Sequence, residues 1–150
     1  MSQQEKTAWW TLGSGIAIWL FLLMRFTEDG RIVELPAGYA LNTYIQMIVL
    51  WIIASVVPAV IAAKDPQQTG KDERDRAIDA LGDRWEGYVV VIAINVLIVH
   101  VLARAVFTDR APSMPLPDFN SATALIFALL TTLFLADAVK QAVVLWQYRR

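Results

Sequence analysis

At 150 residues with 57% hydrophobic and only 18% charged side chains and a mean hydropathy of +0.47, this chain is too apolar for an ordinary soluble domain, where roughly 45–50% of residues are apolar and about 25% charged, or for a disordered one. A net charge of −1 and a pI of about 5.7 exclude nucleic-acid binding by bulk charge. The absence of cysteine excludes disulfides, thiolate nucleophiles and cysteine metal sites, and a single histidine excludes a multi-histidine centre within one chain.

Four long apolar stretches carry the composition. The first runs from Ala8 to Phe26 with no charge before Arg25. A cleaved signal peptide is the competing reading, but the run exceeds a usual h-region and Met24-Arg25-Phe26-Thr27 offers no small-x-small cleavage site. A retained span is expected. Gly13 and Ala17 form a small-xxx-small pair beside Gly15, suited to a close helix neighbour within the chain or in a second copy. Glu28-Asp29-Gly30 and Pro36 make a short connection to the second stretch, Gly38 to Ala63, which carries no charge at all. Pro58 inside it predicts a kink, with neighbouring groups satisfying the freed carbonyl. Lys64-Asp65-Pro66 ends it.

The third stretch, Tyr88 to Phe107, is interrupted by Asn95, His100 and Arg104. Pro112, Pro115 and Pro117 stiffen the next connection. The fourth begins at Ser121 and continues as a helical pattern through Asp137, Lys140 and Gln141 to Tyr148. A helix needs about 20 residues to cross a hydrocarbon core of roughly 30 Å, so spans are expected over about residues 8–26, 38–63, 88–107 and 120–140. Strands are not expected as spans, because the runs are continuous rather than alternating. The reading is one all-α domain over residues 1–150, an integral membrane four-helix bundle packed in sequential antiparallel order.

Lys6, Lys64, Lys71, Arg74, Arg76, Arg84, Lys140, Arg149 and Arg150 fall on one side of such a bundle, and Arg25, Arg31, Arg104 and Arg110 on the other. That asymmetry places both termini and the 64–87 loop in the cytoplasm. Trp9, Trp10, Trp85, Tyr88, Trp146 and Tyr148 lie near the inner interface, and Phe26, Tyr39, Phe107 and Phe119 near the outer.

The loop segment Lys71–Tyr88 is the most distinctive. Asp72 and Glu73 suit the first turn of a helix. Asp72 and Arg76 form an i,i+4 pair, and Ile78, Leu81, Trp85 and Tyr88 form an apolar stripe. Asp75, Asp79 and Asp83 form a stripe of like charge that needs a partner, and Gly82 and Gly87 permit a bend before the third span. Three readings fit: a short interfacial helix, a partner-docking surface made by Asp72, Glu73, Arg74, Asp75, Arg76, Ile78, Arg84 and Tyr88, or a carboxylate site for a divalent cation, for which no EF-hand spacing is present.

The start Asp72-Glu73-Arg74-Asp75, Ile78, Arg84 and Gly87-Tyr88, with the ending Trp146-Gln147-Tyr148-Arg149-Arg150, resembles a group of small, uncharacterised bacterial inner-membrane proteins in which a DERD-type segment joins the second and third of four helices. The resemblance implies a bacterial plasma-membrane protein and no established activity or ligand. A cytoplasmic regulatory protein is the partner it makes worth seeking.

Within the spans, ionisable and amide groups are expensive and become functional candidates. These are Gln46, Asn95, His100, Arg104, Asp137 and Lys140. Asn42, Gln46, His100, Arg104 and Arg25 are expected to form an outer-half polar cluster, with Asn95 bonding to a neighbouring helix. His100 reads as a neutral interhelical imidazole, a proton relay or, with a second subunit, a haem ligand. Asp137 and Lys140, at i,i+3, are expected to pair or to project together beyond the membrane. No catalytic motif, metal site or cofactor fingerprint is present, so a non-enzymatic role is expected. A regulatory or interaction protein presenting the charged loop leads. A small oligomeric transporter or channel using the intramembrane polar residues is the alternative. The lipid bilayer and a second copy of the chain complete the expected partners, with no direct nucleic-acid contact.

Overall fold

A computed structural model describes residues 3–63, 72–107, 119 and 121–150. The order is α1 (Gln3–Phe26), a hairpin of β1 (Thr27–Glu28) and β2 (Arg31–Ile32), α2 (Ala37–Ala63), α3 (Glu73–Phe107) and α4 (Ala122–Tyr148). All four helices are long and apolar enough to cross a membrane. The fold is all-α apart from the hairpin, and the chain is a multi-pass membrane protein.

The hairpin was not expected, although Asp-Gly is its strongest short signal. Asp29 has φ 49° and Gly30 φ 74°. Positive φ at both central residues is what a tight two-residue hairpin turn requires, and glycine adopts it without steric cost. Thr27 pairs with Ile32, and Glu28 with Arg31. This turn reverses the chain at once, so α2 comes back along α1.

The larger correction concerns residues 73–87. The helix expected there is not a separate one: it is the beginning of α3 and runs without interruption into the third span. Asp72 caps it, its Oδ1 accepting from the Asp75 N–H at 2.7 Å. Gly82 does not bend the helix; it is buried against α4. A Cβ there would lie 3.1 Å from Val144 Cγ2 and 3.2 Å from Lys140 Cγ. The missing side chain lets two backbones approach, and that packing outweighs the roughly 1 kcal/mol helix penalty of glycine. Residues 64–71 lie outside the described residues.

α4 is the hub. It lies along α3 on one side and α1 on the other, α1 also lies along α2, and α2 and α3 barely touch. The expected ring of sequential neighbours is therefore open between α2 and α3. The tight hairpin holds α2 on α1, and the small residues Gly15 and Gly82 admit α4 between α1 and α3. Two apolar clusters result. Ile18, Leu22, Phe26 and Met47 pack with Ile126, Phe127, Leu130 and Phe134. Ala8, Ile78, Val144 and Leu145 pack with Leu12 and Tyr148 at the other end. These contacts make α1 and α3 antiparallel to α4. They bring the start of α1, the start of α3 and the end of α4 to one end of the bundle. Phe26 is fully buried, a core residue rather than the interfacial aromatic expected.

Pro58 sits inside α2. Proline supplies no N–H, so the carbonyl four residues earlier, on Ala54, loses its helical donor. The indole Nε1 of Trp10 donates to that carbonyl at 3.0 Å. The bond ties α1 to α2 at the point where α2 is weakest. Trp10→Phe is expected to cost about 1 kcal/mol. The same change in a Pro58→Ala background, where the backbone donor returns, is expected to cost less than half of that. A double-mutant cycle of SDS-titrated unfolding checks this, and equal losses in the two backgrounds would break the link between Trp10 and Pro58.

Candidate functional site

The residues singled out in the 71–88 segment and at the end of the fourth helix fall in two places. The first is the end of the bundle that gathers the starts of α1 and α3 and the end of α4. Tyr148 occupies its centre. Its hydroxyl donates to Asp75 Oδ1 at 2.6 Å and also contacts the side-chain amide of Gln4. One hydroxyl has one proton, so the Gln4 amide serves best turned to donate its own N–H. The DERD-type start and the Tyr-Arg-Arg ending thus meet directly. Asp75 and the buried Ile78 are spent on holding the bundle together, and Tyr148 is a tie between three helices.

Asp72, Glu73, Arg74, Arg76, Arg84 and Tyr88 remain exposed. They form the outward side of a helix held by α4. Around the same end stand exposed Trp9, Trp10, Trp85 and Trp146, the amphipathic rings expected at headgroup depth. Arg149 lies 5.6 Å from the Trp9 ring and Arg150 5.2 Å from the Trp146 ring, distances at which cation–π attraction acts.

The second place is a polar layer between the two apolar clusters. Lys140 Nζ lies 2.6 Å from Asp83 Oδ1 and 3.0 Å from Glu86 Oε2. The expected Lys140–Asp137 pair is not what forms. Asp137 Oδ1 instead accepts from Gln141 Nε2 at 3.1 Å, and its Oδ2 lies 3.7 Å from where a Cβ on Gly15 would be. Helix geometry explains the choice. Positions i and i+3 on α4 both point at neighbours, and Lys140 meets the first two carboxylates of α3 that come within reach. Asp83, left in a like-charge stripe by sequence, finds its counter-charge on α4, as Asp75 finds the Tyr148 hydroxyl.

Two cavities flank α4 beside this layer. One, of about 360 Å³, lies where α2 and α3 fail to meet; Tyr44, Met47, Trp51 and Phe134 wall it, with Glu86 and Asp137 at one end. The other, of about 350 Å³, lies between α1 and α4 and includes Ile16, Trp19 and Phe134, again with Asp137. Asp137 borders both. Neither cavity was legible in the sequence.

Of the expected outer polar cluster, the contacts among the described residues are these. Arg25 Nη1 donates to the Tyr39 hydroxyl at 2.6 Å, and its guanidinium lies 5.2 Å from the Phe21 ring. His100 meets the Phe119 ring edge-on at 4.8 Å. Asn42 is exposed and Gln46 half-buried on α2, away from α3. Asn95 is exposed rather than bonded to a neighbour, its Nδ2 donating to Val91 O of its own helix at 2.8 Å. Gly13 and Ala17 are exposed too, so within the chain Gly15, not the Gly13–Ala17 pair, makes the close approach. The side chain of Arg104 lies outside the described residues. Among the described residues, no three His, Asp or Glu side chains are grouped to hold a metal ion.

No protein-family model, curated protein or solved structure matches this chain.

Proposed function

We propose that this protein is a bacterial inner-membrane interaction protein, both termini in the cytoplasm, that presents the first turns of α3 to a cytoplasmic regulatory partner. One observation carries the reading. The start of α3 is divided by face: Asp75, Ile78 and Gly82 are used by the fold, while Asp72, Glu73, Arg74, Arg76 and Arg84 stay exposed on a helix that α4 holds still. A rigid surface with both signs of charge in fixed order favours selective association more than raw affinity. Asp72/Arg74/Arg76 alanine substitution should abolish near-stoichiometric capture of one cytoplasmic protein from gently solubilised membranes and leave insertion intact. Equal capture by variant and wild type would refute the reading. The excess of Lys and Arg at the terminal end supports the orientation. Because the chain has no cysteine, single cysteines at Asp29 and Glu73 report it directly. An impermeant maleimide should label the first in intact cells and the second only after permeabilisation.

Transport by an oligomer is the second reading, favoured by one feature: Asp137 borders the cavities on both faces of α4. Flux in liposomes that Asp137→Asn abolishes would support it.

A further inference from the structure

The groove left open between α2 and α3 is a built cavity inside a span, and its chemistry is uneven. Its volume of about 360 Å³ is that of a small-molecule site. The walls are aromatic and aliphatic, from Tyr44, Trp51 and Phe134 among others, and the ionisable groups at its end, Glu86 and Asp137, are both carboxylates. Lys140 already faces Asp83 at 2.6 Å and Glu86 at 3.0 Å. Asp137 is held by a neutral donor, the Gln141 amide. The site therefore carries more negative than positive charge, set in apolar surroundings where such charge is costly without a counter-charge.

We propose that this groove binds a lipophilic monocation, its apolar body against Trp51, Tyr44 and Phe134 and its positive charge beside Asp137. Aromatic faces and a carboxylate together recognise an organic cation, the rings through their negative faces and the carboxylate through its charge. The alternatives fit less well. A phospholipid headgroup would bring its phosphate against the two carboxylates, Glu86 and Asp137. A hydrated metal ion would need a set of oxygen ligands, and no such group exists among the described residues. The inference is independent of the partner-docking reading, which concerns the end of the bundle. Binding without flux would also leave it standing if the transport reading failed.

The test is equilibrium binding of tetraphenylphosphonium to the purified full-length protein in detergent, with tetraphenylborate as the anion of matching shape. Wild type should show saturable one-to-one binding of the cation and none of the anion. Asp137→Asn should weaken the cation at least about tenfold, the scale of one lost charge contact. Ile48→Trp, which fills this groove, should block binding, whereas Ile16→Trp, which fills the cavity between α1 and α4, should not. Each variant must first elute as the same monodisperse species, and if Asp137→Asn does not, the two tryptophan variants decide. No saturable binding by wild type, equal binding of the anion, unchanged affinity in Asp137→Asn, or blockage by Ile16→Trp instead of Ile48→Trp would each overturn the proposal.

Discussion

Phe26→Ala is expected to destabilise the bundle by about 3 kcal/mol, the largest single effect in the chain. Phe26 is fully buried and packs with Ile18, Leu22 and Met47, its ring 5.9 Å from that of Phe127. In a soluble protein the loss would combine water transfer with the empty space left behind, reaching about 3–5 kcal/mol. In a membrane the unfolded helices are already in an apolar medium, so most of the transfer component disappears. The void and the lost dispersion contacts remain, and the hairpin packed just beyond limits how far the site can collapse. SDS-titrated unfolding reads the difference. A loss below about 1 kcal/mol would mean that the cluster relaxes freely and that α1 is not pinned at this end.

Lys140→Met comes second, at about 2 kcal/mol. The substitution keeps the length and apolar stem and removes the charge. It leaves Asp83 and Glu86 without the cation that lies 2.6 and 3.0 Å away, with Asp137 one turn along on the same helix. Breaking a fully buried pair costs about 3–5 kcal/mol. Here the side chains of Lys140, Glu86 and Asp83 are 29%, 37% and 61% exposed, so screening reduces the cost. Adding Glu86→Gln to Lys140→Met should recover a good part of the loss, because it removes a carboxylate that has no counter-charge. Full stability of Lys140→Met alone would show that the polar layer contributes no net energy and does not set the axial register of α3 against α4.

Much of the architecture was readable from residue order. Apolar length identified the four helices, and Pro36 and the Asp-Gly pair marked the connection between the first two. What failed depended on distance along the chain. Local spacing, all that one sequence displays, offers Lys140 only Asp137 or solvent; its partners Asp83 and Glu86 are more than 50 residues away. Gly82 was read as a bend because glycine is a poor helix former, when its use is the absent Cβ facing Val144. The helix over residues 73–87 is legible from its acidic first turn and its apolar spacing; its continuity with the third span is not, because two glycines suggest a break there and only the packing on α4 shows their use. Phe26 and Tyr148 illustrate a separate ambiguity. Aromatics near a span boundary serve the interface or the core, and only the neighbours decide. The candidate partner surface was legible as a stretch of charge, but not which side of it the fold consumes.

The central place of α4 also bears on how the molecule is made. The hairpin lets α1 and α2 associate as soon as both have left the ribosome. α3 then enters the bilayer with no settled neighbour, since it barely touches α2 and its own partner has yet to be synthesised. During that interval its charged first turns have neither Lys140 nor Tyr148 to answer them. The last helix to emerge therefore packs α3 and the α1–α2 pair together at once, and quality-control proteases would meet an unpacked α3 in any chain cut short before Ser121.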